Sequence, residues 1–289
     1  MSTIKKLFIA ALILFGGAGC SSMMYYPTSI QYVEGPELEK SREIVKFKSL
    51  DGTALSGWFF KAHQPYRGTI VQFHGNAENM TSHFFSLYWL VEQGYDLFTF
   101  DYRGYGTSEG SPDQAGLNQD ALAAIHYILK RQDALPAPHI ILYGQSLGGA
   151  VLMRAYDDLS PSERNQIRSM VIESSFHNYH AIAANVLSRS FLTWLFQPLA
   201  YVLMSNRYGP EDSIPHISPT PLLVIHGDHD QVVPFEFGEK IFSLAHEPKQ
   251  FLKVPAAGHL ECLMIENGKY RKELLQFLSK GKIADENKK

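Results

Sequence analysis

The stretch Ile140-Ile-Leu-Tyr-Gly-Gln-Ser-Leu-Gly-Gly-Ala150 decides the fold. A run of apolar, largely β-branched residues stops at a Gly-x-Ser-x-Gly-Gly turn, and helix-compatible residues, Val151-Leu-Met-Arg-Ala-Tyr156, follow. A strand that turns this sharply into a helix needs glycine where the two backbones pass closely. Gly144 and Gly148, two residues to either side of Ser146, supply it. The serine at the apex is then expected in a strained conformation with its hydroxyl exposed. That is a nucleophile elbow, rather than an ordinary strand–helix turn.

Working outward, the same alternation repeats. Upstream, Ile44–Lys48 and Leu55–Phe60 flank the turn Leu50-Asp-Gly-Thr53 and read as a hairpin of antiparallel edge strands. Thr69–Phe73 and Tyr95–Phe100 are near-continuous apolar runs, as expected of parallel strands buried on both faces. A helical segment, Thr81–Glu92, lies between them, and a helix over about Ala115–Arg131 leads to the elbow. Downstream come strands at Ser169–Glu173, Pro221–Ile225 and Gln250–Val254, a helix over Phe235–Ala245 and a last helix from near Glu261 to Leu278. Strands alternating with helices of this length predict an α/β fold with a mostly parallel, eight-stranded sheet wrapped on both faces. Between Ser174 and Pro219 the alternation stops, and two helical stretches, Tyr179–Leu187 and Ser190–Ser205, stand where one crossover would suffice. The excess length reads as a small helical cap over about 176–215.

Composition removes several classes. With 289 residues, 45% of them apolar and 19% charged, the chain can bury a large core in one main domain, 42–279. A net charge of −3 without a basic block argues against nucleic acid as a partner. Two cysteines, Cys20 and Cys262, exclude a disulfide framework.

The N-terminus reads as an export signal over 1–19: Lys5-Lys6, nine apolar residues Leu7–Phe15, then Gly16-Gly-Ala-Gly19 before Cys20. Nine apolar residues are short of the ~20 that span a bilayer as a helix. Ala18-Gly19-Cys20 resembles the end of a bacterial lipobox, although Gly17 stands where leucine is usual. That resemblance implies lipidation of Cys20, and Ser21 after it resembles signals for the outer membrane. The expectation is a lipid-anchored protein of the cell envelope, on the periplasmic side. Residues 20–41 would serve as a polar tether, and 280–289 as a polar tail.

An alcohol is a poor nucleophile until a base takes its proton, so Ser146 requires a histidine, and the histidine an acceptor that fixes its tautomer. In an elbow fold these partners follow in the order Ser, Asp or Glu, His, each in a loop leaving the carboxyl end of a later strand. Asp230 lies in the loop after Ile225, with Asp228 as its competitor, and His259 in the loop after Val254.

Several further motifs agree: His74-Gly-Asn-Ala-Glu-Asn79, Asp101-Tyr-Arg-Gly-Tyr-Gly-Thr-Ser-Glu-Gly110, Glu173-Ser-Ser-Phe176, His226-Gly-Asp-His-Asp230 and Gly258-His259. Over residues 42–279 the chain resembles the α/β-hydrolase superfamily, close to its serine aminopeptidase-like branch. The resemblance implies a cofactor-independent hydrolase with an oxyanion hole formed by the backbone amides of Asn76 and Leu147. Where the branch commonly has Pro, this chain has Ser175, a change read as structural. Asp101 and Arg103 read as structural more than catalytic, with both roles left open for Arg103. The expected reaction is cleavage of a small or acyl-chain ester or thioester through an acyl-enzyme. Serine peptidase, acyl-lipid hydrolase and a non-catalytic binding lipoprotein are the alternatives. Absence of any acidic residue from Phe176 to Tyr208 argues against an aminopeptidase, which needs a carboxylate for the substrate ammonium. A metal hydrolase prompted by His74, His226 and His229 lacks further ligands at fixed spacing. The acyl group and the oligomeric state are not encoded legibly.

Overall fold

The computed structural model describes residues 24–63, 65–131, 139–189, 191 and 193–280. The expected signal segment, Cys20, Ser190 and the tail beyond 280 lie outside the described residues.

Eight strands form one sheet: β1 (Arg42–Lys48), β2 (Ala54–Phe60), β3 (Gly68–Phe73), β4 (Tyr95–Asp101), β5 (Ile140–Gln145), β6 (Ile167–Glu173), β7 (Leu222–Gly227) and β8 (Lys249–Val254). Their spatial order is β8-β7-β6-β5-β3-β4-β2-β1. From β4 to β8 every pairing is parallel. Only β2 runs antiparallel to its neighbours, β1 and β4. The hairpin therefore differs from expectation in one respect: β1 alone is the edge, and β2 lies inside the sheet. Leu55 to Phe60 of β2 are all buried, whereas β1 is exposed at most positions.

The apolar runs are continuous because both faces are covered. Val71, Phe73, Leu142, Ile172 and Val224 point to one core, shared with α1 (Gln114–Arg131), α2 (Leu147–Asp157) and α5 (Phe235–Leu244). Their neighbours Ile70, Ile141, Val171, Leu223 and Ile225 point to the other, closed by Phe84, Leu87 and the last helix, α6 (Arg271–Lys280). The strand period of two thus divides each run between two cores.

Four segments depart from the sequence reading. Instead of one helix over Thr81–Glu92 there are two single turns, Met80–His83 and Phe85–Tyr88, because Asn79 caps the first and Phe84 is turned into the core. The cap consists of α3 (Tyr179–Ser188), a 3₁₀ turn at Trp194–Phe196 and α4 (Gln197–Leu203). Its second helix is shorter than expected because Pro198 is accepted only in the first turn. The last helix starts at Arg271 rather than near Glu261, since Leu260, Glu266 and Asn267 take positive φ. Finally, the described part of the expected tether, 24–41, packs on the domain. Tyr26–Pro27 pairs with Ala77–Glu78, and Asn79 Nδ2 donates to the carbonyls of Thr28 (3.0 Å) and Ile30 (2.8 Å). Pro36–Ser41 is a short helix running into β1. Side chains of the loop that the 24–41 segment crosses, Asn76, Asn79 and Thr81, satisfy backbone groups of the segment, where a composition-based reading expects solvation.

Candidate active site

At the carboxyl end of β5 the chain makes the turn its glycines call for. Ser146 sits at φ 51°, ψ −120°, a conformation that L-residues rarely adopt. A Cβ at Gly144 would come within 2.6 Å of Gly149 Cα, and one at Gly148 would run into the Phe73 carbonyl. Neighbouring strands hold the strained residue. Its N–H donates to Glu173 O (2.9 Å), and its carbonyl accepts from Ser175 Oγ (2.7 Å) and Gly149 N (3.0 Å). Ser175 is thus the residue sequence reasoning missed as a support of the elbow. Its clue was the small Gly149, where a Cβ would meet the Ser175 side chain. The Ser146 hydroxyl caps no amide of α2, which leaves it available to a base.

The loops after β7 and β8 meet over the ends of β6 and β7. Asp228 N donates to Val254 O (3.2 Å), His229 N to Ala257 O (3.1 Å), and Leu260 N to Ser174 Oγ (3.5 Å). His259 is thereby carried two strands inward, to the residue that follows Ser146's partner Glu173. Its Nδ1 lies 2.8 Å from Asp230 Oδ2. Asp230 Oδ1 accepts from the amides of Val232 and Val233, both at 2.8 Å. Burial acts to raise the Asp230 pKa, but His226, His259 and the Val233 amide outweigh it and hold the carboxyl well below the usual range. An ionised Asp230 accepts only, so Nδ1 of His259 is the donor and Nε2 is left as the basic nitrogen. Asp228 faces elsewhere. It accepts from Ala256 N (2.7 Å) and pairs with Lys253 (3.2 Å).

Asn76 and Leu147 border the same space as Ser146. Leu147 is the first residue of α2, so its amide is one of those for which the helix provides no carbonyl. The Asn76 side chain is turned to its own partners, donating to Met24 O and accepting from Tyr105 OH (3.0 Å). A Cβ at Gly75 would make an ordinary 3.5 Å contact with Ser146 Cβ but would crowd His83 Cε1 at 3.1 Å.

Above the serine lies a cavity of about 600 Å³, within the range of small-ligand sites. Its roof is apolar, from Ile182 and Val186 of α3 and Leu199 and Leu203 of α4, and Met24 to Tyr26 close one side. Nothing in the N-terminal sequence marks Met24–Tyr26 as a cavity wall.

The comparisons with known proteins fit this geometry. The E. coli K12 protein YfhR, itself uncharacterized, is 36% identical over 262 residues, covering 89% of this chain and 86% of that one. A family model described as the alpha/beta hydrolase fold matches residues 68–195. The chain belongs to the α/β-hydrolase family. The Pyrococcus furiosus esterase Pf2001 shares the fold with a TM-score of 0.66 at 18% identity, over 88% of this chain and 96% of that one. The lysophosphatidylserine lipase ABHD12 of Danio rerio is 32% identical over 204 residues, 66% of this chain and 51% of the lipase.

Other motifs of this α/β hydrolase serve its frame. Arg103 is buried and grips Asp120 through Nε (3.1 Å) and Nη2 (2.8 Å), Asp51 (2.8 Å) and Ser49 (3.1 Å), a structural knot that resolves its open role. Asp101 accepts from Met80 N (2.7 Å) and lies 3.6 Å from His74. Burial pushes Asp101 up to about 7 and His74 down to about 3, so the charged form of each is disfavoured. Cys262 is fully buried outside any helix, and burial, with the charges of Glu173 and Asp230, pushes its thiol far up. A reactive thiolate is thereby disfavoured. Among the described residues no three His, Cys, Asp or Glu side chains converge as metal ligands.

Proposed function

We propose that the protein is a serine hydrolase that cleaves esters or thioesters of apolar acyl groups. The observation that carries this reading is Ser146 at φ 51° beneath an apolar cavity, with the loop bearing the Asp230–His259 pair hydrogen-bonded beside it. In the proposed reaction His259 Nε2 takes the Ser146 proton as Oγ attacks the substrate carbonyl, and Asp230 stabilises the resulting imidazolium. The amides of Asn76 and Leu147 donate to the oxyanion. Collapse expels the alcohol or thiol, which takes the proton from His259 and leaves an acyl-enzyme. Water, deprotonated by His259, then releases the acid and restores Ser146.

The cavity walls support this substrate class. A roof of Ile182, Val186, Leu199 and Leu203 offers an acyl chain contact and desolvation and offers a charged group no partner. From Phe176 to Tyr208 the chain carries no carboxylate for a peptide ammonium, which favours esterase over aminopeptidase. Acyl-lipid hydrolysis is the second reading, favoured by that apolar roof and by the similarity to a protein named as a lysophosphatidylserine lipase. The test is labelling by a fluorophosphonate together with turnover of p-nitrophenyl esters of rising chain length. Labelling at Ser146, and kcat/KM rising with chain length, are expected. Absence of both label and turnover would refute the reading.

A further inference from the structure

The walls of the cavity are also its outer surface. Tyr26, Val186, Phe196, Leu199, Leu203 and Val232 line the space above Ser146, and each is between 42% and 64% exposed. The apolar surface continues outward through Phe191 (86% exposed), Leu195 (66%) and Val202 (74%), with Trp194 and Tyr201 among them. Ala200 is the only residue of α4 that the domain buries, and α3 buries only Tyr179 and Ile182. Monomeric proteins seldom leave so many large apolar side chains contiguous in water, and such a patch marks an interaction surface. Scattered exposed leucines need no explanation, but these ring one cavity mouth.

Two observations identify the occupant. First, Cys20 precedes Met24, on the cavity wall, by four residues, a length of chain that spans at most about 14 Å. A lipid on Cys20, as the sequence leads one to expect, would bring the bilayer to this side of the molecule. Second, the surface from Phe176 to Tyr208 has no acidic residue but carries Arg189 and Arg207, a charge pattern compatible with anionic headgroups.

We infer that the cap docks face-down on an anionic phospholipid bilayer, so that acyl-chain substrates enter the cavity from the lipid phase. This rests on the reading of Ser146 as the nucleophile, and the docking itself does not depend on catalysis. An interfacial helix of this kind buries its apolar face to roughly 5–10 Å, at the boundary of headgroups and chains. Phe191, Leu195 and Val202 are the side chains placed to do so.

Trp194 is a native reporter, 45% exposed within the patch, while Trp58 is buried in the core. The full-length protein is bound to vesicles of phosphatidylethanolamine and phosphatidylglycerol with brominated acyl chains. The emission of a Trp194→Phe variant is subtracted to isolate this residue. Quenching of the Trp194 component by about half or more, relative to unbrominated vesicles, is expected. Vesicle-bound protein whose Trp194 is unquenched overturns the proposal.

Leu195→Asp with Val202→Asp supplies the second arm, since neither residue is in the catalytic machinery. The double variant is expected to keep wild-type turnover of p-nitrophenyl acetate in solution. It is expected to lose about tenfold or more on a long-chain ester carried in the vesicles. Equal vesicle turnover by variant and wild type overturns the proposal. So does lipid-free protein whose Trp194 becomes shielded from iodide as concentration rises, which would seat a second copy on the patch. A wild type that hydrolyses no soluble ester, with Trp194 still quenched, would sink the hydrolase reading and leave the docking intact.

Discussion

The floor and the roof of the cavity are built by opposite rules. On the floor the groups that hold the elbow and the acid are hydrogen-bonded: Glu173 accepts from Tyr143 and Gln145, both at 2.9 Å, Ser175 holds the elbow carbonyl, and two amides fix Asp230. On the roof, α3 and α4 bury only Tyr179, Ile182 and Ala200 and leave most of their side chains partly in water. A rigid floor keeps a strained serine and an ionised carboxylate in place, since either would relax if a neighbour were lost. A loosely held apolar roof tolerates change and sets what enters. Substitutions on the floor should therefore destroy chemistry, and substitutions on the roof should redirect it.

Ser146→Ala is expected to give the largest effect. Turnover should fall by ~10⁴-fold or more and fluorophosphonate labelling should vanish, while thermal unfolding stays close to wild type. Retained turnover in this variant would move the chemistry away from the elbow.

Asp230→Asn comes next, with kcat lower by about 10³–10⁴-fold, because an amide in this position allows the wrong His259 tautomer. Asp228→Asn should change kcat only slightly, its carboxylate being paired with Lys253 and the Ala256 amide. Comparing the two variants tests whether the floor depends on one carboxylate or on the loop as a whole.

On the roof, Ile182→Trp fills cavity volume from α3. It should lower kcat/KM for long acyl chains by about tenfold, leaving acetate and butyrate esters nearly unchanged. A uniform loss at all chain lengths would show that the roof, too, positions the reacting groups.

The pH dependence of stability probes the buried pair under the floor. Burial raises the Asp101 pKa from the unfolded value to about 7, so the folded state binds this proton more tightly than the unfolded state. The contribution is fully present below the unfolded carboxylate pKa and is lost as pH rises towards and through 7. Wild-type Tm should therefore fall relative to that of Asp101→Asn between about pH 4 and pH 8. Parallel Tm curves for the two proteins would remove Asp101 from the account.

The smallest effect is expected from Cys262→Ala, which should keep most activity and make the enzyme indifferent to N-ethylmaleimide. Loss of activity in the untreated variant would mean that the buried thiol supports His259 in a way the hydrogen bonds do not reveal.

The two regions also differ in how far they could be read from sequence. The elbow was legible because steric exclusion is local: Gly144 and Gly148 have to be small wherever a strand turns into a helix around Ser146. Strand identity was legible from continuous apolar runs, and the order Ser146, Asp230, His259 followed from which loops leave carboxyl strand ends. Sequence also carried the extra length between Ser174 and Pro219, the absence of acidic residues from Phe176 to Tyr208, and the charged and apolar pattern before Cys20.

Only the tertiary structure decided which carboxylate meets His259, since Asp228 and Asp230 share one loop and differ in direction alone. It placed β2 inside the sheet, because burial of Leu55 to Phe60 depends on pairing with β4, some 40 residues away in sequence. It moved the start of the last helix from near Glu261 to Arg271, because positive φ at Leu260, Glu266 and Asn267 interrupts the stretch between. It also turned the supposed tether into a cavity wall, through hydrogen bonds from Asn76 and Asn79 to a segment roughly 50 residues before them. Local pattern reports the period of an element and the size of a side chain at a close approach. Partners far apart in the chain are selected by the loops that bring them together, and that selection is made only when the whole sheet has closed.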